Sequence, residues 1–373
     1  MTRPLRVAYL LTQDRGGPVD VTVRLAGALL AGGDTEVRIF GPTPARGAET
    51  LTGHHQRIAV PRKGDLGARR RARAVLCEWR PDVVHAQDRR AGLVGAGLNL
   101  LSRGPRAVVH TYHGVPDDVG EAWFRGVATA PSPSRYTRTV LAADAMVARA
   151  VARTVVPAPA MGQFLRTRLR VPDKRLVHID NCVSLPACHP PTGAVREVVF
   201  VGLLVERKGI LTLLKALALP GVMPSDATLT VVGDGPQRAE AEAAARHSAL
   251  AGRVRFLGFR TDVGELLRAA DALALPSTME QQPLAVAEAM AAGKPVVATE
   301  TGGVADMLTV AGAARYLSAP GDIQGLADQL RAVFADPDPA RTGRLLADNA
   351  HRRFSPEVCA ERHLALYRDL LDH

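Results

Sequence analysis

Glu280 and Glu288 close the two ends of the segment EQQPLAVAE, which runs on without a break into AMAAGKPVVATETGG. A pair of carboxylates first suggests acid–base hydrolysis. The residues between them argue otherwise. Pro283 opens an apolar helical run, and proline is tolerated at the first helical position. A helix starting there turns its free N–H groups and positive dipole end toward Glu280, ready for an anion such as a diphosphate. Glu288 falls more than one turn inside, so the acids occupy different places on one wall. That suits a sugar nucleotide: one acid for sugar hydroxyls, one for ribose hydroxyls, the helix end for phosphate.

Other chemical side chains lie at the ends of apolar runs. Gly16 and Gly17 sit in RGGP, where a first strand becomes a first helix. Without Cβ atoms the backbone can approach a phosphate and donate N–H groups to it, although an ordinary tight turn has the same composition. His113 in HTYHG follows an apolar run and precedes Gly114, which directs it outward from a strand's carboxyl end; His110 belongs in the strand. Gly233-Asp234-Gly235 is not a dinucleotide fingerprint, because Arg238 stands where G-x-G-x-x-G requires glycine, and Gly95-Ala96-Gly97 fails likewise. The acidic pairs Asp117 with Asp118, adjacent in a loop, and Asp336 with Asp338, in DPDPA, read as loop acids and no metal is expected.

The elements that position these groups alternate between strand and helix in both halves. Alternation implies an α/β fold of doubly wound parallel sheets. In the first half strands are predicted at 5–11, 36–40, 83–85 and 107–112, with a helix over 19–31. A second start comes at 198–201, followed by strands at 229–232, 254–257, 272–275 and 295–298. At 373 residues the chain is too long for one ordinary core and suits two domains. The stretch PACHPPTGAVR breaks regular structure and sets the boundary. Residues 1–186 then form one domain and 187–354 the other, with an amphipathic helix over 355–373 expected to pack back on the first. A linker that pivots at its ends would let two lobes close on a ligand.

Hydrophobic residues make up 47% of the chain and charged residues 23%, the balance of a globular protein. The first apolar run, 7–11, reads as a buried strand and not a signal peptide. No run approaches the ~18 apolar residues of a membrane span, so a cytoplasmic location is expected. Cys77, Cys182, Cys188 and Cys359 lack C-x-x-C spacing; Cys182 could pair with Cys188, but a cytosolic setting favours free thiols.

The net charge of +10 is lopsided: 28 basic residues against 15 acidic through Pro190, then 19 against 22. A basic half suits an anionic partner. Arginine bias from a GC-rich genome explains the excess equally well, since 42 of the 47 basic residues are Arg. The run RKGDLGARRRAR at 62–73 concentrates the charge. On a helix, Arg69, Arg70, Arg71 and Arg73 form a solvated face or a patch for an anionic membrane surface, with Leu66, Val75 and Leu76 as a thin apolar side. Few aromatics and no recognition motif argue against nucleic acid.

Five segments in order resemble the family-four retaining glycosyltransferases with the two-lobed GT-B fold. They are RGGP at 15–18, HTYHG at 110–114, FVGLLVERKG at 200–209, VVGDGP at 231–236 and the segment 280–303. The resemblance implies two Rossmann-like domains facing across a cleft, the first for the acceptor and the second for the donor. It implies transfer of a hexose-type sugar, with retention, from a UDP or GDP donor to a hydroxyl of a glycolipid, polysaccharide or natural-product scaffold. Neither a metal nor a cofactor beyond the donor is implied.

Residue by residue, the resemblance implies a catalytic set of His113, Lys208 and Glu280. His113 contacts the donor sugar near the anomeric carbon, Lys208 neutralises the diphosphate, Glu280 holds the sugar and Glu288 the ribose. Backbone at Gly16, Gly17, Gly202, Leu284 and Ala285 completes the donor site, with the base near Gly258, Phe259 and Arg260. Leu203 departs from the pattern: relatives commonly carry Arg there as a second phosphate ligand, and Arg207 reads as a solvated surface charge. A GT-B-fold nucleotide-sugar epimerase and a weakly active or non-catalytic binding homologue are the other readings. Some peripheral relatives use a basic stretch in this lobe at membranes, so the inner membrane face is a second expected location.

Overall fold

The computed structural model describes residues 3–60, 62, 64–246 and 249–372. The chain divides into two compact units. One runs to Val183 and takes up the chain again at Phe354; the other is Ser184–Arg353.

The first unit is built on seven strands: β1 (Leu5–Leu10), β2 (Thr35–Gly41), β3 (His55–Arg57), β4 (Val83–Ala86), β5 (Ala107–Thr111), β6 (Arg153–Val156) and β7 (Leu176–His178). All pair in parallel in the order β3-β2-β1-β4-β5-β6-β7. Central strands such as β4 and β5 are buried along their whole length. Helices on both faces require that, which is why these strands read as continuous apolar runs. β3, β6 and β7 were not anticipated. HQR, RTVV and LVH are too short to show a period, and pairing with a preformed neighbour makes them strands.

The helix Gly17–Ala31 starts two residues earlier than its apolar period indicates, at the RGGP turn itself. The last helix, Pro356–Asp372, packs against it. Tyr367 on that last helix shares hydrogen bonds with Tyr9 at 2.9 Å and with His85 Nδ1 at 2.6 Å, while His85 Nε2 meets Thr111 Oγ1 at 2.7 Å. A fully satisfied polar network of this kind fixes one packing register for the returning helix.

The second unit carries six strands: β8 (Glu197–Val201), β9 (Thr228–Val232), β10 (Val254–Gly258), β11 (Ala272–Leu275), β12 (Val296–Thr299) and β13 (Tyr316–Ser318). They are parallel in the order β10-β9-β8-β11-β12-β13. Both sheets therefore reverse their strand order once, between β1 and β4 and between β8 and β11. In open α/β sheets ligands bind beyond the carboxyl ends of the strands at that reversal. Residues 186–192 form no helix or strand. All four cysteines are free thiols.

Candidate functional site

The second unit gathers its chemical side chains at the β8–β11 reversal. After β8 the chain makes one tight turn, Glu206–Lys208, that ends at Gly209 with φ 74°. A Cβ at Gly209 would stand 2.1 Å from the Pro276 carbonyl oxygen. Only glycine lets this turn lie against the chain leaving β11, and the contact delivers Lys208 to Glu280. Lys208 Nζ donates to Glu280 Oε1, and Ser277 Oγ donates to the same oxygen at 2.8 Å.

Glu280 is gripped from the other side by Gly302, at φ 49°, where a Cβ would fall 1.5 Å from the Glu280 carbonyl oxygen. Gly303 N–H donates to Gln281 O at 2.8 Å. The carboxylate is thus buried and paired by two side chains, and the main chain at Glu280 and Gln281 is fixed by Gly302 and Gly303. Ser277 escaped the sequence reading, although a hydroxyl three residues before the acid was visible there.

The helix after Glu280 spans Leu284–Ala291, and Pro283 is its N-cap with ψ 119°, not its first helical residue. Its opening N–H groups, on Leu284 and Ala285, have no partner within the helix. Glu288 lies one turn further on, half-buried. Gly202, just past β8, donates its N–H to Val232 O at 3.0 Å. Leu203 beside it is 62% exposed, an aliphatic side chain in solvent where the resemblance called for a guanidinium. Arg207 is half-buried, and its backbone carbonyl accepts from Thr278 N–H at 2.8 Å. Gly258 ends β10, accepting from Gly233 N–H at 2.8 Å, with Phe259 exposed next to it and Arg260 paired to Asp262.

In the first unit, Gly16 at φ 99° is the N-cap of the helix that Gly17 begins. His113 lies two residues past β5 and hydrogen-bonds through Nε2 to Gln87 Oε1, one residue past β4, at 2.9 Å. Burial and the neighbouring His110 and His363 lower its pKa to about 3, so it is neutral at physiological pH. His110 is buried within β5.

Other features resolve as scaffolding. Asp118 accepts from Ser134 N–H and Thr137 Oγ1; Asp336 accepts from Tyr316 OH, and Asp338 from Arg341 N–H. Among the described residues no group of three or more His, Cys, Asp or Glu is placed to hold a metal ion. In the basic run, Arg70 and Arg71 are exposed, while Arg73 is half-buried and donates to Val94 O and Ala96 O. Lys63 lies outside the described residues. Leu76 is core, so Leu66 alone of the expected apolar side is exposed. No described helix is long and apolar enough to cross a membrane.

Two sequence profiles match in tandem: Glycosyltransferase Family 4 over residues 15–185 and Glycosyl transferases group 1 over residues 195–336. Among curated proteins, the chain is 37% identical over 151 residues to the 2-deoxystreptamine glucosyltransferase of Streptomyces kanamyceticus, covering 39% of each. It is 29% identical over 270 residues to the glycogen synthase of Mycobacterium tuberculosis, covering 70% of this chain. The matches span 39% and 62% of those relatives' lengths.

Among solved structures, HepE of Anabaena in complex with UDP-glucose superposes with a TM-score of 0.79 at 22% identity, covering 98% of this chain and all of that one. Sucrose-phosphate synthase of Thermosynechococcus elongatus gives 0.78 at 23%, covering 99% of both. The chain belongs to the family-four, group 1 glycosyltransferases, and its two Rossmann-like parallel-sheet units are those of the GT-B fold.

Proposed function

We propose that the protein is a retaining, metal-independent glycosyltransferase that moves a hexose-type sugar from a UDP or GDP donor to a hydroxyl acceptor. The observation that carries this reading is the Lys208–Glu280–Ser277 cluster at the β8–β11 reversal, directly before the helix Leu284–Ala291. An ammonium and a helix N-terminus are the groups a departing diphosphate needs, and preorganised charge is the largest single contribution to such catalysis. Lys208 and the Leu284 and Ala285 N–H groups take the diphosphate, and Glu280 takes sugar hydroxyls. Glu288 takes the ribose, with the base near Gly258 and Phe259. The acceptor hydroxyl attacks the face the diphosphate leaves and passes its proton to the departing phosphate oxygen. HepE, crystallised with UDP and with UDP-glucose, supports a uridine donor.

Exposed Leu203 favours a second reading, a weakly active or non-catalytic nucleotide-sugar binder. Exposed Arg70, Arg71 and Leu66 favour an anionic membrane surface as a partner of the first unit. A thermal-shift panel of nucleoside diphosphates and their sugars, followed by product analysis with and without acceptor hydroxyl compounds, separates the readings. Ligand at about 100 times Kd stabilises by ~2.7 kcal/mol. Stabilisation with transfer supports the proposal, stabilisation without turnover supports the binder, and conversion of donor alone to an epimer removes the transferase reading.

A further inference from the structure

β4 and β5 run parallel with Ala86 opposite His110, so the residues just past their ends reach the same edge of the first unit's sheet. Gln87 arrives there already fixed. Its N–H donates to Leu10 O at 3.0 Å and its side chain is buried. The next residue, Asp88, accepts from the N–H and the hydroxyl of Thr12 and from Ala91 N–H, tying the end of β1 to the following helix. His113 is held from the other direction. Arg89 donates to the Gly114 carbonyl at 2.6 Å and to Asp144 at 3.0 Å, and Asp144 also accepts from Tyr112 OH at 2.7 Å. The residues on either side of His113 are therefore pinned, and its ring is oriented onto Gln87.

The amide is oriented with Oε1 toward the ring, and an amide oxygen only accepts, so in this orientation the hydrogen of the pair belongs on His113 Nε2. Nδ1 then keeps its lone pair, and among the described residues it has no hydrogen-bond partner. The other arm of the same amide, Gln87 Nε2, is buried without a partner. An imidazole lone pair repels a deprotonated phosphate and accepts from a hydroxyl.

We propose that Gln87 is a positioning residue that holds His113 as its Nε2–H tautomer, leaving Nδ1 to accept a hydrogen bond from a substrate hydroxyl. The identity of that hydroxyl as a sugar's rests on the glycosyl-transfer reading; the tautomer does not.

The test is nitrogen-15 NMR of the full chain with labelled histidine at pH 8, the His113 signals being assigned by their loss in His113→Gln. The wild type shows the Nε2–H pattern, Gln87→Leu loses it, and Gln87→Glu, which offers only acceptor oxygens, restores it. In parallel, Gln87→Leu lowers kcat by about 10–100-fold with the nucleotide-sugar KM within about twofold, as for other residues that orient a histidine, and Gln87→Glu recovers most of the loss. An Nδ1–H pattern in the wild type overturns the proposal. So does a Gln87→Leu protein with unchanged tautomer and unchanged kcat. A wild type with the Nε2–H pattern but no transfer from any nucleotide sugar sinks the glycosyl-transfer reading and leaves Gln87 in its role.

Discussion

Lys208 Nζ and Ser277 Oγ donate to the same oxygen, Oε1 of Glu280, although Lys208 and Glu280 stand 72 residues apart in the chain. The pair is largely screened from solvent, with side-chain exposures of 16% and 10%. The resting site thus carries its own counter-ion. A donor diphosphate would share or displace Glu280 on the ammonium, and Ser277 keeps the carboxylate in place while that happens.

Lys208→Met leaves Glu280 with one donor on a buried charge. The expected cost is about 1–3 kcal/mol, below a fully buried pair because both ends touch solvent. Transfer activity falls by about 10²-fold or more. Melting temperature and turnover of the purified variant check both, and wild-type turnover would remove Lys208 from the mechanism.

Ser277→Ala retains the ion pair and removes one hydrogen bond, a loss of about 1 kcal/mol. Because the carboxylate is then free to turn about Lys208, kcat is expected to fall more than stability suggests, by about tenfold. Unchanged kcat in a folded variant would make Ser277 purely structural.

Gly302→Ala tests the backbone grip on Glu280. At φ 49° with a Cβ 1.5 Å from the Glu280 carbonyl, the chain must shift, costing about 1–3 kcal/mol or more. The nucleotide-induced rise in melting temperature should shrink with it. An alanine variant as stable and as responsive as the wild type would contradict the geometry.

Stability should fall in mild acid. Burial lowers the pKa of His110 and of His363 from 6.5 to about 4. The unfolded chain takes up these protons near pH 6.5, whereas the folded chain does so only near pH 4. The folded state binds fewer protons in between, so stability declines as pH drops through that window and is fully present above it. Melting temperatures from pH 8 to pH 4.5 measure the slope, and His363→Gln should flatten it. An equal slope in the variant would rule His363 out as a source.

The membrane proposal is tested by co-sedimentation with vesicles containing anionic lipid. Arg70→Glu and Arg71→Glu should each weaken partitioning by about fivefold or more, with salt reducing all binding. Wild-type protein that stays in the supernatant at low salt would end that proposal.

The sequence by itself determined the repeated strand–helix alternation, most of the central strands, and the loops that carry Gly16, His113, Lys208 and Glu280. Those features are local: apolar runs, glycine at turns and a proline before a helix are legible without neighbours. What it left out were the short strands at or next to the sheet edges, β3, β6, β7 and β13, which are strands only because a paired neighbour makes them so. Of the side chains, it missed Ser277 and Gln87, both uncharged and neither a recognised motif residue. Ser277 acts within the loop that carries Glu280, three residues before it, whereas Gln87 meets His113 across two loops set by strand register. Only the tertiary structure decided that Lys208 and Glu280 form a pair, because that contact depends on a glycine at 209 passing the carbonyl of Pro276 more closely than any side chain would allow.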